Sequence, residues 1–77
     1  MARTVRVTVM LKAGVLDPQG QAVARALGTM GFEGVRAVRQ GKVLELDLAD
    51  DVTDGDVAAM CEGLLANTVI ETWSIED

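Results

Sequence analysis

The apolar side chains of this chain switch between two periods, and the order of those switches limits the fold more than any other feature. Across residues 4–12, Val5, Val7, Val9 and Leu11 fall on one side of an alternating run rich in β-branched residues. That is the pattern of a half-buried strand. Residues 13–16 form a loop, and Asp17-Pro18 opens a helix. Asp17 can accept from the free N–H groups of the first turn, and Pro18 suits the first helical position. Ala22, Val23, Ala26, Leu27 and Met30 then recur at helical spacing, and Gly31 supplies the left-handed residue that ends such a helix.

The second half repeats the scheme. Residues 35–39 read as a strand, with Val35 and Val38 out of phase in a way that a bulge would reconcile. Gln40-Gly41-Lys42 reads as a tight turn, with Gly41 at the position that needs a positive φ. Leu44, Leu46 and Leu48 alternate with Glu45 and Asp47 in a third strand, which should pair with the second as a hairpin. An acidic loop over residues 50–55 follows, and Thr53 with Asp56 forms a capping box for a second helix. Val57, Met60, Cys61, Leu64 and Leu65 give that helix its apolar stripe, and residues 69–75 make the last strand. Gly28, Gly55 and Gly63 weaken the two helices.

The order β-α-β-β-α-β predicts an α+β, ferredoxin-like fold, a split βαβ with a four-stranded antiparallel sheet and both helices on one face. Residues 1–77 are expected to form one domain. A chain of this size buries only about 60% of its unfolded surface. Its other sheet face would carry Arg6, Thr8, Met10 and Glu45, with Ile70 beside them, a mixed surface suited to a second subunit. Together these features predict a homo-oligomer.

A net charge of −5 and only two aromatic residues, Phe32 and Trp73, argue against a nucleic-acid or anionic-membrane partner. No stretch of 18 apolar residues could span a bilayer, so no membrane partner is expected. Met1-Ala2-Arg3-Thr4 runs straight into the alternation without the apolar block of a signal peptide, which predicts a cytoplasmic protein. The chain has no His and one cysteine, Cys61, so the commonest general base and any Cys-rich metal site are missing. Cys61 sits on the apolar stripe of the second helix as a structural thiol with no base to activate it. The acidic run from Asp47 to Asp56 lacks the spacing of a calcium loop and reads as a solvated lead into a helix. No phosphate-cradling glycine loop is present. No catalytic, cofactor-binding or metal-ligating residue is therefore assigned. Arg36, Arg39 and Lys42 place three of the seven bases around the expected hairpin, a candidate for docking an acidic partner.

Three blocks resemble one family. Leu11-Lys12-Ala13-Gly14-Val15-Leu16-Asp17-Pro18-Gln19-Gly20 is similar to the signature loop and helix start of PurS proteins, the small subunits of phosphoribosylformylglycinamidine (FGAM) synthase. Val38-Arg39-Gln40-Gly41-Lys42-Val43-Leu44-Glu45-Leu46 resembles that family's R-x-G-K hairpin and following strand. The run from Met60 to Glu71, with its Leu64-Leu65-Ala66-Asn67-Thr68-Val69-Ile70-Glu71 turn, resembles the third block. The resemblance singles out Asp17, Pro18 and Gly20, then Arg39, Gly41 and Lys42, then Asn67, Thr68 and Glu71 as motif or partner-interface residues.

The resemblance implies a non-catalytic subunit of dimers or tetramers that bridges a large ATP-using synthetase subunit and a glutaminase subunit. It implies support for ammonia transfer in de novo purine synthesis. ATP and magnesium are implied for the synthetase, and no cofactor for this chain. The alternative from another class is a free-standing ACT-type module that binds a small ligand near Gly14. That likeness is one of fold alone.

Overall fold

The computed structural model describes residues 2–76, and its strands and helices follow the order β-α-β-α-β. Strand β1 (Arg3–Leu11) is central and antiparallel to both β2 (Lys42–Leu48) and β3 (Glu71–Glu76), giving the sheet order β2-β1-β3. Val5, Val7 and Val9 are buried on one face, as the alternation requires. Helix α1 (Pro18–Thr29) starts at the Asp17 cap with Pro18 in its first turn, and Gly31 just beyond its end has φ +95°. Helix α2 (Asp54–Met60) opens on the reciprocal Thr53–Asp56 box.

The sheet has three strands, not four. Residues 35–39 form no regular element and pair with no strand, and β2 is left as an edge. The cause lies in what holds the segment's end. The Gln40 N–H donates to Asp17 Oδ2 at 2.7 Å, and the Gln40 side chain donates to Gln19 Oε1 at 2.7 Å. These bonds tie residue 40 to the start of α1 instead of folding the segment back along β2. The hairpin is therefore absent. Gly41 is not in the left-handed region, which among the described glycines is occupied by Gly14 and Gly31.

The second helix also departs from expectation at its end. After Met60 the chain makes a π-helical turn, Cys61–Leu65, which contains Gly63 and closes with the Ala66 N–H donating to the Cys61 carbonyl at 3.0 Å. Such single turns widen the helix by one residue. The last strand begins at Glu71, two residues later than the apolar run suggests, because Asn67 accepts from Ile70 and Glu71 in a turn.

The core is small and one-sided. It unites Val5, Val7, Val9, Leu48, Val57, Cys61 and Ala66, with Leu44, Leu46, Trp73 and Ile75 half-buried around it. No residue of α1 belongs to it, so only one helix covers the sheet where two were expected. Accordingly the radius of gyration is 15.9 Å, against about 11.5 Å for a compact domain of this length. On the opposite face Arg6 pairs with Glu45 across the strands at 3.4 Å, and Thr8 and Met10 are half-buried. Ile70 lies in the turn before β3, outside the sheet, where its carbonyl accepts from the Lys12 N–H.

Burial pushes the Cys61 thiol's pKa up, and the neighbouring Glu62 carboxylate adds to the shift. Cys61 is fully buried, so it packs as an uncharged side chain. Replacing Cys61 by Ala should lower stability by about 1–2 kcal/mol through the void it leaves. Thermal melts of the variant check this, and an unchanged melting midpoint would contradict a packing role for the thiol.

Candidate functional site: the cleft at the root of helix α1

Asp17 organises the junction between the sheet and α1. Its Oδ1 accepts from the Gly20 N–H at 2.8 Å, closing the helix start, and its Oδ2 accepts from the Gln40 N–H at 2.7 Å. One carboxylate thus joins the outgoing helix to the returning chain. The Gln40 N–H, then the Gly20 N–H, and to a lesser degree the Arg39 guanidinium hold the Asp17 carboxyl below the usual carboxylate range. Both bonds favour the ionised form, so their contribution is in place at neutral pH and goes only as the pH falls below that range.

Two glycines allow the close approach of backbone at this junction. A side chain on Gly20 would run into the Val38 carbonyl and the Asp17 carboxylate. One on Gly41 would run into the Val9 carbonyl and the Met10 sulfur. Arg39 reaches across to donate to the Leu11 carbonyl, which joins the returning chain to the end of β1. Glu71 is positioned from below: its Oε1 accepts from the Asn67 N–H at 2.6 Å, and Asn67 Oδ1 accepts from the Val69 N–H at 3.2 Å.

Together these elements frame an open cleft of about 350 Å³, walled by Val9, Leu11, Asp17, Pro18, Gln40 and Lys42, with Glu71 on its rim. Of the nine positions singled out in the sequence, Asp17, Pro18, Gly41, Lys42 and Glu71 line it. Gly20 and Arg39 build its wall, and Asn67 acts on it through Glu71. Thr68 is half-buried in the turn outside the cleft. Gln19, Gln40 and Leu11 were not singled out, since the Gln19–Gln40 bond spans 21 residues with no local pattern to announce it. The cleft presents one exposed ammonium, Lys42, beside two carboxylates and an apolar floor, but no nucleophile with a base beside it. Among the described residues, no group of three or more Cys, Asp or Glu could hold a metal ion, and no helix is long and apolar enough to cross a membrane.

Comparison with known proteins adds an independent finding. The family model described as PurS, phosphoribosylformylglycinamidine (FGAM) synthase, matches residues 4–77. A Mycobacterium leprae protein named phosphoribosylformylglycinamidine synthase subunit PurS is 59% identical over 75 residues, covering 97% of this chain and 94% of the relative. The subunit of the same name from Bacillus subtilis is 51% identical over 74 residues, covering 94% and 88%. Among solved structures, B. subtilis PurS in a C2 crystal form superposes with a TM-score of 0.84 at 50% identity, over 99% of this chain and 96% of that one. A chain in the structure of PurLQS from Thermotoga maritima superposes with a TM-score of 0.85 at 25% identity, over 99% and 96%.

Proposed function

We propose, from the premise that this chain belongs to the PurS family, that it is the small, non-catalytic subunit of an FGAM synthase. In this role it bridges the large ATP-dependent synthetase subunit and the glutaminase subunit, and supports passage of ammonia between them in cytoplasmic purine synthesis. The observation that carries the reading is the likeness, over nearly the whole chain, to a subunit solved within a PurLQS structure. The cleft supports it, since it offers recognition surface without a nucleophile and base. ATP and magnesium would belong to the synthetase and not to this chain. A free-standing ACT-type module is not favoured, because the relatives at high identity are PurS subunits.

The subunit would also be a homo-oligomer, a dimer or tetramer. Sedimentation at micromolar concentration checks this: a species of at least twice 8.1 kDa is expected, and a stable monomer would contradict it. Assembly is tested by mixing the chain with its cognate synthetase and glutaminase and following co-elution by gel filtration. All three should migrate together. Persistent separation of this chain from both would refute the bridging role.

Lys42 is exposed at the start of β2 on the cleft wall, a cation in a chain of net charge −5. A charge at an interface rim chiefly speeds encounter and orients the partners. Lys42→Glu should therefore leave the fold intact and slow association with a catalytic subunit roughly 2–10-fold at low salt. The difference should shrink at high salt, where screening weakens the wild-type attraction. Association rates at two ionic strengths check it, and equal rates at low salt would make Lys42 ordinary surface.

A further inference from the structure

A second concavity lies between helix α1 and the returning segment 36–38. Gln21, Ala24 and Arg25 fall at i, i+3 and i+4 and so share one face of α1, while Arg36, Ala37 and Val38 supply the other wall. Each alanine projects only a methyl group, and the walls leave an open groove of about 530 Å³. Small-molecule sites span roughly 300–1,000 Å³, so the groove holds more than a bare inorganic anion. Its second wall is fixed in place. The Val38 carbonyl approaches Gly20 so closely that a side chain there would strike it, and Gln40 is bonded to Asp17 and Gln19 at 2.7 Å each.

The charge of this groove runs against that of the chain. Residues 18–41 carry Arg25, Arg36 and Arg39 against Glu33, a net +2 within a total of −5. Arg39 is engaged with the Leu11 carbonyl. Arg25 and Arg36 make no ion pair or hydrogen bond among the described residues, although each lines the groove. Two like charges brought to one groove repel until an anion lies between them. A guanidinium presents a rigid fork that matches phosphate oxygens in pairs. Two such forks balance the dianion of a phosphate monoester, whereas a carboxylate would leave one charge over. Gln21, one turn from Arg25, adds an amide that both donates and accepts. Ala24, Ala37 and Val38 provide an apolar strip beside it.

We propose that this groove is a binding site for a small organic phosphate monoester, of about the size of a nucleoside monophosphate. Arg25 and Arg36 grip the phosphoryl group from the two walls. Gln21 bonds a hydroxyl of the organic part, whose carbon skeleton lies along Ala24, Ala37 and Val38. One grip residue belongs to α1 and the other to the returning segment, so the ligand ties the two together and stabilises them by mass action. The groove shares no lining residue with the cleft at the root of α1. The site therefore stands apart from the bridging role, and either can fail without the other.

The test titrates the full isotope-labelled chain, in the assembly it forms in solution, with adenosine 5′-monophosphate, adenosine and inorganic phosphate, read by NMR. The monophosphate should saturate with a midpoint below about 1 mM, shifting the amide signals of residues 21–25 and 36–38. Adenosine and inorganic phosphate should each bind at least about tenfold more weakly, since each lacks half of the contacts. Arg25 and Arg36 are exposed, so Arg25→Gln combined with Arg36→Gln should keep the signals of β1 in place and abolish saturation. Arg25→Lys combined with Arg36→Lys keeps the charge but loses the forks, and should weaken binding about fivefold or more. Shifts spread over Lys12 and Lys42 without saturation would overturn the site, because they would report only a counterion atmosphere. Unaltered saturation in the double Gln variant, or equal affinity for adenosine and its monophosphate, would overturn it as well. Equal affinity for inorganic phosphate would overturn the part given to Gln21 and the apolar strip.

Discussion

Replacing Gly41 by Val should destabilise the protein by about 3 kcal/mol or more, at the upper end of what overpacking costs. The reason is the backbone and not the turn type. Gly41 directly precedes Lys42, the residue that pairs with Val9 at the start of the β1–β2 ladder. A side chain at position 41 would meet the Val9 carbonyl, which cannot move without breaking the strand it belongs to, as well as the more yielding Met10 sulfur. The first rung of the ladder must therefore open, and with it the wall that carries Lys42. For a domain of this size the melting midpoint should fall by roughly 12 °C or more. Gly28 supplies the control. It lies in α1 with open space around it and no positive φ, so Gly28→Ala should hold or raise stability by up to about 1 kcal/mol. Thermal melts of the two variants decide the matter. Equal, small effects would mean that β2 tolerates displacement from β1 and that the cleft is not a fixed structure.

The parts of the fold legible in the sequence are those whose causes are local. Val5, Val7 and Val9 announce β1 because a strand buried on one face must alternate. Asp17-Pro18 and Thr53 with Asp56 announce the helix starts because a cap acts within three residues. Gly31 ends α1 because its positive φ is costly for other residues. The misplaced fourth strand has the opposite character. Residues 35–39 carry a plausible strand composition, but Asp17 has a second carboxylate oxygen, and it captures the Gln40 N–H from 23 residues away. No periodicity reports such a bond.

The same holds at the cleft. Its residues could be gathered from the sequence only by resemblance to a family, since Asp17, Lys42 and Glu71 share no spacing. The sequence pattern puts Gly41 in a tight turn, whereas the structure uses it for close approach to Val9. The Gln19–Gln40 bond has no sequence signal, because amides carry neither charge nor a hydropathy pattern. Placement of α1 away from the core was likewise invisible: its apolar stripe says that one face is covered, not which molecule covers it.

In the proposed role this chain couples glutamine hydrolysis in one protein to amidine synthesis in another. Ammonia released by a glutaminase is small and is lost to bulk water unless the two sites are held together. A bridging subunit raises the effective concentration of one partner at the other without contributing a reacting group. Synthesis from added ammonium bypasses that requirement, because the synthetase then draws its nitrogen from solution. The direct measurement is FGAM formation by the cognate synthetase and glutaminase, with and without this chain, from glutamine and separately from ammonium. Omitting the chain should lower the glutamine-dependent rate roughly 100-fold, the low end of what tethering supplies, and leave the ammonium-dependent rate within about a factor of two, since no reacting group is lost. Equal glutamine-dependent rates with and without it would contradict the coupling role outright.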